Sequence, residues 1–183
     1  MILAIDTSAA QCAVALLGGG VLVQRRAAME RGHAEHLFPM IEDALAEAGA
    51  VYGDLTRIAV CTGPGSFTGV RIGVAAARGL AIGCAIPVVG ITRFEALAVE
   101  AEGAATIRLR GRGGSAYCQD FDAAGQAICA PQIGEGAGDD PLPDPVVIAR
   151  LAKDRVPGAP PAPLYLRGAD ADPPRDGPPV MLD

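Results

Sequence analysis

The sequence predicts an α/β protein built on a mixed sheet, with elements in the order β-β-β-α-β-α-β-α, followed by a reduced second lobe. Three observations predict it. Short apolar runs separated by turn residues fill the chain up to Arg26, a long stretch then carries apolar residues at helical spacing, and after it strand-like runs alternate with helical ones. An antiparallel meander leading into alternating helices and strands gives a partly parallel sheet with helices on its faces. Half of the 183 residues are hydrophobic but only 4% are aromatic and none is tryptophan, so Ala, Val, Leu and Ile must build the core.

Ile2 to Ile5 is the first strand, ending in Asp6-Thr7-Ser8; Cys12 to Leu17 is the second, Gly18-Gly19-Gly20 a turn, and Val21 to Arg26 the third. In "HAEHLFPMIEDALAEAG" the residues Leu37, Met40, Ile41, Ala44, Leu45 and Ala48 fall at helical spacing, and Gly49 stops the run. Pro39 fits a first turn, where its missing N–H is no loss, so the helix is expected to start near His36. Arg57 to Cys61 reads as a strand, Phe67 to Gly83 as a helix, Pro87 to Gly90 as a strand and Arg93 to Ala101 as a helix. This is the ribonuclease-H-like order shared with actin-like ATPases.

The division is expected at residue 102: an actin-like lobe over 1–102, and over 103–183 a shortened second lobe with a proline-rich tail. In the second part Thr106 to Leu109 and Tyr117 to Phe121 read as strands around "RGRGGS", with Gln126 to Ile128 as a third. Val146 to Lys153 gives two helical turns.

A formal charge of -6 opposes binding of nucleic acid by this chain alone, because phosphate affinity needs a positive field, and any tRNA contact is expected through a partner. Five scattered cysteines, Cys12, Cys61, Cys84, Cys118 and Cys129, form no C-x-x-C pair and read as core residues of a reducing cytoplasm. The N-terminus lacks the basic start and sustained apolar run of a signal peptide. From Val70 to Ile91 the chain is apolar, but Arg71, Arg78 and Pro87 interrupt it, and no membrane association is expected.

The stretch "CTGPGSFTGVRIGVAAARGLA" runs a strand through a glycine loop into a helix, an arrangement that aims backbone N–H groups at an anion. Gly63 and Gly65 supply G-x-G, but Thr68 stands where a dinucleotide fingerprint has its third glycine. Lys153 is the only lysine, which excludes a G-x-x-x-x-G-K-[ST] loop. Asp6, Thr7, Gly63, Gly65 and Ser66 are the candidate residues for a vestigial nucleotide or anion site. Asp6 either orients a cation or caps its own strand-end turn.

Gly69, Gly73 and Ala77, at i, i+4 and i+8, make a smooth stripe that admits a close backbone, either from the protein's own sheet or from a partner helix. His33 and His36 are the only histidines; two ligands do not complete a zinc site, and neither a metal centre nor an intrinsic cofactor is expected. No Ser-His-Asp or Cys-His set can be assigned.

"MILAIDTSAAQCAVAL", "HAEHLFPMI" and above all "GPGSFTGVRIGVAAARGLA" closely resemble the bacterial TsaB (YeaZ) family, a subunit of the machinery that makes threonylcarbamoyladenosine in tRNA. The resemblance covers roughly the first hundred residues. In the second lobe "RGRGGSAY" keeps Arg112, Gly114 and Tyr117 of the family's turn but has Arg110 in place of an acid, and "PLYLRGADADPP" resembles the closing P-x-Y-x-R segment.

The resemblance implies a degenerate actin-like fold without catalytic residues of its own. It implies pairing with a catalytic paralogue, TsaD, which acts with the ATPase TsaE, so that ATP and Mg are used by the assembled complex on adenosine 37 of ANN-decoding tRNAs. For the unpartnered chain the same surface leaves both a homodimer and a monomer open. Carried onto this sequence, the family's helical interface falls on Leu37, Met40, Ile41, Leu45, Gly69, Val70, Gly73 and Ala77. A bulky residue at Gly73 is then expected to block assembly and spare the fold. The competing reading is an autonomous ATPase or kinase using Asp6, Thr7 and the Gly63 to Gly65 loop.

Overall fold

The computed structural model describes residues 1–101 and 103–167; the remainder of the proline-rich tail, including the end of the "PLYLRGADADPP" segment, lies outside the described residues. Strands β1 (Ile2–Asp6), β2 (Gln11–Gly18) and β3 (Val21–Ala28) form the antiparallel meander. They lead through helix α1 (His33–Glu47) to β4 (Arg57–Cys61), α2 (Phe67–Cys84), β5 (Val88–Ile91) and α3 (Arg93–Ala98). The spatial order is β3-β2-β1-β4-β5, with β1, β4 and β5 parallel, so the predicted mixed α/β sheet and its element order are present.

Strand alternation decides which helices lie on which face. Leu3, Ile5, Val14, Leu16, Ile58 and Val60 point to one side, where they pack with Leu37, Ile41, Leu45, Val70 and Val74 of α1 and α2. Their neighbours Ala4, Ala15, Ala59 and Cys61 point to the other side and leave a shallow surface. A further helix, α4 (Pro145–Lys153), seats Val146, Ile148, Ala149 and Ala152 on that surface. Small residues on the sheet let the helix approach without a thick intervening layer.

This placement corrects the division at residue 102. The chain leaves the first lobe after α3, forms an antiparallel sheet of β6 (Ala105–Arg110), β7 (Ala116–Phe121) and β8 (Gln132–Gly134), and then returns. Helix α4 belongs by packing to the first sheet, and it is held there at both ends. Its N-cap Asp144 accepts from the Val146 N–H, and the Arg57 guanidinium on β4 donates to the carbonyls of Ala152, Lys153 and Arg155 at the other end. Helix α3 joins the lobes, with Phe94, Leu97 and Ala98 packed against Leu109 and Phe121 of the second sheet.

Three boundaries differ from expectation. Helix α1 starts at His33, so Pro39 lies in its second turn; Glu35 and Pro39 are both exposed, so the carbonyl that the missing N–H leaves free lies on the solvent side of the helix. Helix α3 ends at Ala98 rather than at Ala101. The third strand of the second sheet is Gln132–Gly134, whereas 126–128 makes only a bridge, Phe121 to Ala127, around the Asp122 turn.

Because the three carbonyls at the end of α4 converge on one guanidinium, Arg57→Met is expected to lower stability by about 1–3 kcal/mol. Urea unfolding measures this; an unchanged midpoint would show that apolar packing alone holds the helix.

Candidate functional site

The candidate site is the end of the first sheet, where the β1 and β4 termini meet the start of α2 and the second lobe. Asp6 is fully buried, and its carboxylate is used within its own turn. Oδ1 accepts from the Ser8 N–H at 2.9 Å and from the Ser8 hydroxyl at 2.6 Å; Oδ2 accepts from Gln11 Nε2 at 2.8 Å. Gln11 also donates to the Pro143 carbonyl, which ties the turn to the chain just before α4. A buried carboxylate with three donors is electrostatically satisfied, so of the two roles open to Asp6 the geometry selects the structural one. Among the described residues no group of three or more His, Cys, Asp or Glu side chains converges on a metal position.

Cys61, at the end of β4, lies 3.2 Å from the Ser8 hydroxyl. Burial first, and then the Asp6 charge, push its thiol far above the ordinary range, against smaller opposing contributions from Ser8, the Gly63 backbone and Arg93. The same two causes, in the same order, raise Cys12 from 9.0 to about 11. Neither thiol has the low pKa of a nucleophile.

The glycine stripe is explained by Thr7. Its hydroxyl donates to the Gly69 carbonyl at 2.7 Å, and a Cβ on Gly69 would collide with the Thr7 carbonyl oxygen. A Cβ on Gly73 would stand 2.5 Å from Thr7 Oγ1 and within contact of Val60 and Ile5. Of the two possible uses of the stripe, the structure shows the intramolecular one: α2 lies directly on the end of β1. Gly65 similarly leaves room for the Ser8 carbonyl, which accepts from the Ser66 N–H.

The proposed partner interface therefore needs correction. Leu37, Ile41, Leu45, Gly69, Val70, Gly73 and Ala77 are all buried in the protein's own core, and Met40 is partly buried against it. Helical period identifies the apolar side of a helix but not what covers it, and here the sheet does. The anion-site candidates also divide. Asp6, Thr7 and Gly63 are buried, whereas Gly65 and Ser66 reach a cleft between the lobes. His33 is buried with Nε2 unpartnered, while His36 is exposed with Nδ1 at 2.8 Å from the Gly32 carbonyl, so the two do not form one site.

Sequence reasoning missed two features. The outer face of α2 exposes Phe67, Ala75, Gly79 and Ile82, and on α1 Phe38 is likewise exposed. Beside α2, Pro163 and Tyr165 of the closing segment line a shallow groove with Arg71, Ala75, Gly79 and Ile82. The cleft was missed because its lining comes from segments distant in sequence: Ser8, Ser66, Arg93, Arg110, Tyr117 and Arg167. The family-like Tyr117 and Arg112 line it, as does Arg110. Helix α2 is the one described helix long and apolar enough to cross a membrane, but Val70, Gly73, Val74 and Ala77 are buried against the sheet.

A meander running into parallel strands, helices on both faces and a cleft to a second sheet define an actin-like α/β protein with its strand-end carboxylate turned to internal use. The model of the family described as tRNA N6-adenosine threonylcarbamoyltransferase (TsaD) matches residues 16–160, and the chain belongs to that family, on its TsaB side. The TsaB proteins of Escherichia coli and Haemophilus influenzae, both described as tRNA threonylcarbamoyladenosine biosynthesis proteins, are 40% and 41% identical over 97 residues. That is 53% of this chain and 42% and 41% of theirs, so the chain matches less than half of the length of these relatives. The solved structure of YeaZ from Pseudomonas aeruginosa aligns with a TM-score of 0.77 and 26% identity, over 90% of this chain and 99% of that one.

Three outcomes follow from the buried end of β1. Gly73→Ala should destabilise the fold by about 1–3 kcal/mol through overpacking against Thr7, read as a lower urea midpoint, in place of the fold-sparing effect expected from sequence. Cys12 and Cys61 should resist thiol reagents in the native protein while Cys84 and Cys129 react. Because the folded Cys12 pKa is raised, the unfolded chain releases its proton first; the associated stability is complete below about pH 9 and declines as pH rises towards 11. Native labelling of Cys61 at pH 8 would contradict the closed site.

Proposed function

We propose that this protein acts in the cytoplasm as a non-catalytic assembly subunit of tRNA threonylcarbamoyladenosine formation. It pairs with a catalytic paralogue of the TsaD type and supports modification of adenosine 37 in ANN-decoding tRNAs. The assembled complex, which includes a TsaE-type ATPase, uses ATP and Mg; tRNA engages the complex rather than this acidic chain alone. The kinship to TsaB supports the pathway. The carrying observation for the role is the consumed carboxylate: Asp6, the one acid placed as in an actin-like ATPase, is spent on Ser8 and Gln11.

The partner surface in this reading is the outer face of the two-helix layer, not the residues that the helical period selected. Ile82 is 81% exposed and lies beside Ala75 and Gly79, small residues that permit a close helix approach. A large apolar side chain next to a smooth patch suits an interface centre, where the minority of residues whose truncation costs more than about 1 kcal/mol cluster. The same face serves a homodimer when the partner is absent.

Co-purification of tagged paralogue with Ile82→Asp or Gly79→Phe tests this. Both positions are exposed, so the variants should melt like the parent and lose the partner. Retained assembly with either variant would remove α2 from the interface.

A further inference from the structure

The cleft between the lobes has a volume of 980 Å³, and in a chain with net charge -6 it is lined by five arginines, Arg71, Arg93, Arg110, Arg112 and Arg167. One carboxylate, Asp140, lines it as well. That carboxylate is already paired: Arg93, 2% exposed, donates from Nη2 to Asp140 Oδ1 at 2.5 Å and to the Pro141 carbonyl at 2.6 Å. Arg71, Arg110 and Arg167 pair with no carboxylate among the described residues. A local reversal of sign on an acidic chain draws acidic groups towards it.

The closing segment runs along the wall of the same cleft. The Leu164 N–H donates to the Thr62 carbonyl at 2.8 Å, and the Tyr165 hydroxyl accepts at 2.6 Å from Nε of Arg71, whose guanidinium lies over the Phe67 ring. Leu164, Tyr165, Leu166 and Arg167 all line the cleft, so the described chain ends within it. Across from them, at the end of β6 in the other lobe, the Arg110 side chain makes no hydrogen bond or ion pair with the described residues. The sequence that follows, residues 168–183, holds Asp170, Asp172, Asp176 and Asp183 against Arg175 alone. Asp170 and Asp172 come three and five residues after Arg167, a reach of up to roughly 10 and 17 Å in extended chain, and a cleft of this volume is on the order of 10 Å across.

We propose that the chain's own acidic segment after Arg167 seats across this cleft as a strap, with Asp170 and Asp172 paired to Arg71 on one lobe and Arg110 on the other. Charge complementarity selects this occupant: the acids are tethered at the cleft wall, so their local concentration exceeds that of any free competitor. Pro173 and Pro174, directly after the two acids, favour extended backbone and reduce the entropy lost on seating. Arg110, the departure from the family's acidic residue, becomes the far anchor, where an acid would repel the strap. The strap ties the two lobes together and occupies the cleft, so anything that enters must displace it.

Hydrogen exchange of the full chain at low ionic strength tests this. Amides of residues 168–172 should exchange about fivefold more slowly than in the synthetic peptide 168–183. The protection should vanish in the double variant Asp170→Asn with Asp172→Asn, in Arg110→Gln, and in about 0.5 M sodium chloride, with the melting temperature of each variant unchanged. Arg25→Gln, on the far edge strand, should leave it intact. The chain has no tryptophan, so Ala171→Trp supplies a second reading: acrylamide should quench this indole less in the parent background than with Arg110→Gln. Exchange at the peptide's rate, protection or shielding that survives Arg110→Gln, or an equal loss in Arg25→Gln would each overturn the proposal. Protection that rises with protein concentration would place the segment in a second copy and overturn it as well. No partner protein is present, so the result is independent of the assembly role.

Discussion

The close seat of α2 on the end of β1 is the constraint on which the rest depends. Thr7 meets Gly69 and Gly73 so directly that neither position has room for a methyl group. That contact fixes the depth and rotation of the helix. With its small face on the sheet, Phe67, Ala75, Gly79 and Ile82 are turned to solvent and the N-terminus opens into the cleft between the lobes. Both the exposed outer face of α2 and the opening of its N-terminus into the cleft are consequences of one glycine stripe.

The turn after β1 carries the second constraint. A carboxylate at a strand end is a natural place for cation chemistry, but the low-dielectric interior makes an unsatisfied charge expensive, and Ser8 and Gln11 meet its demand locally. Gln11 extends the connection to Pro143 and so to α4, which returns from the second lobe to cover the alanine face of the sheet. A residue suited to chemistry thus holds two distant parts of the chain together. Cys12 and Cys61 are also enclosed at this end of the sheet, and that enclosure raises both thiols.

Much of the fold was legible because alternation and helical period are local signals. Leu3 and Ile5 alternate with Ala4, and Leu37, Ile41 and Leu45 recur at helical spacing, so strands and helices could be placed from the residues. What covers a buried face is not local. The interface residues chosen from sequence were the core side of α1 and α2, and only the sheet's position reveals that Ile82 and Phe38 face outward. The return of α4 was illegible for the same reason, since Arg57 and the carbonyl of Ala152 are 95 residues apart. The cleft gathers Ser66, Arg93, Arg110 and Arg167 from both lobes, and no spacing rule connects them.

The central claim is that this chain contributes surface rather than chemistry. Reconstitution of tRNA threonylcarbamoylation from the purified catalytic paralogue and ATPase, with and without this chain, tests it most directly. The account predicts modification that requires this chain, none from the chain alone, and full activity from Asp6→Asn at a temperature where that variant remains folded. Turnover by the isolated chain that disappears with Asp6→Asn would contradict it.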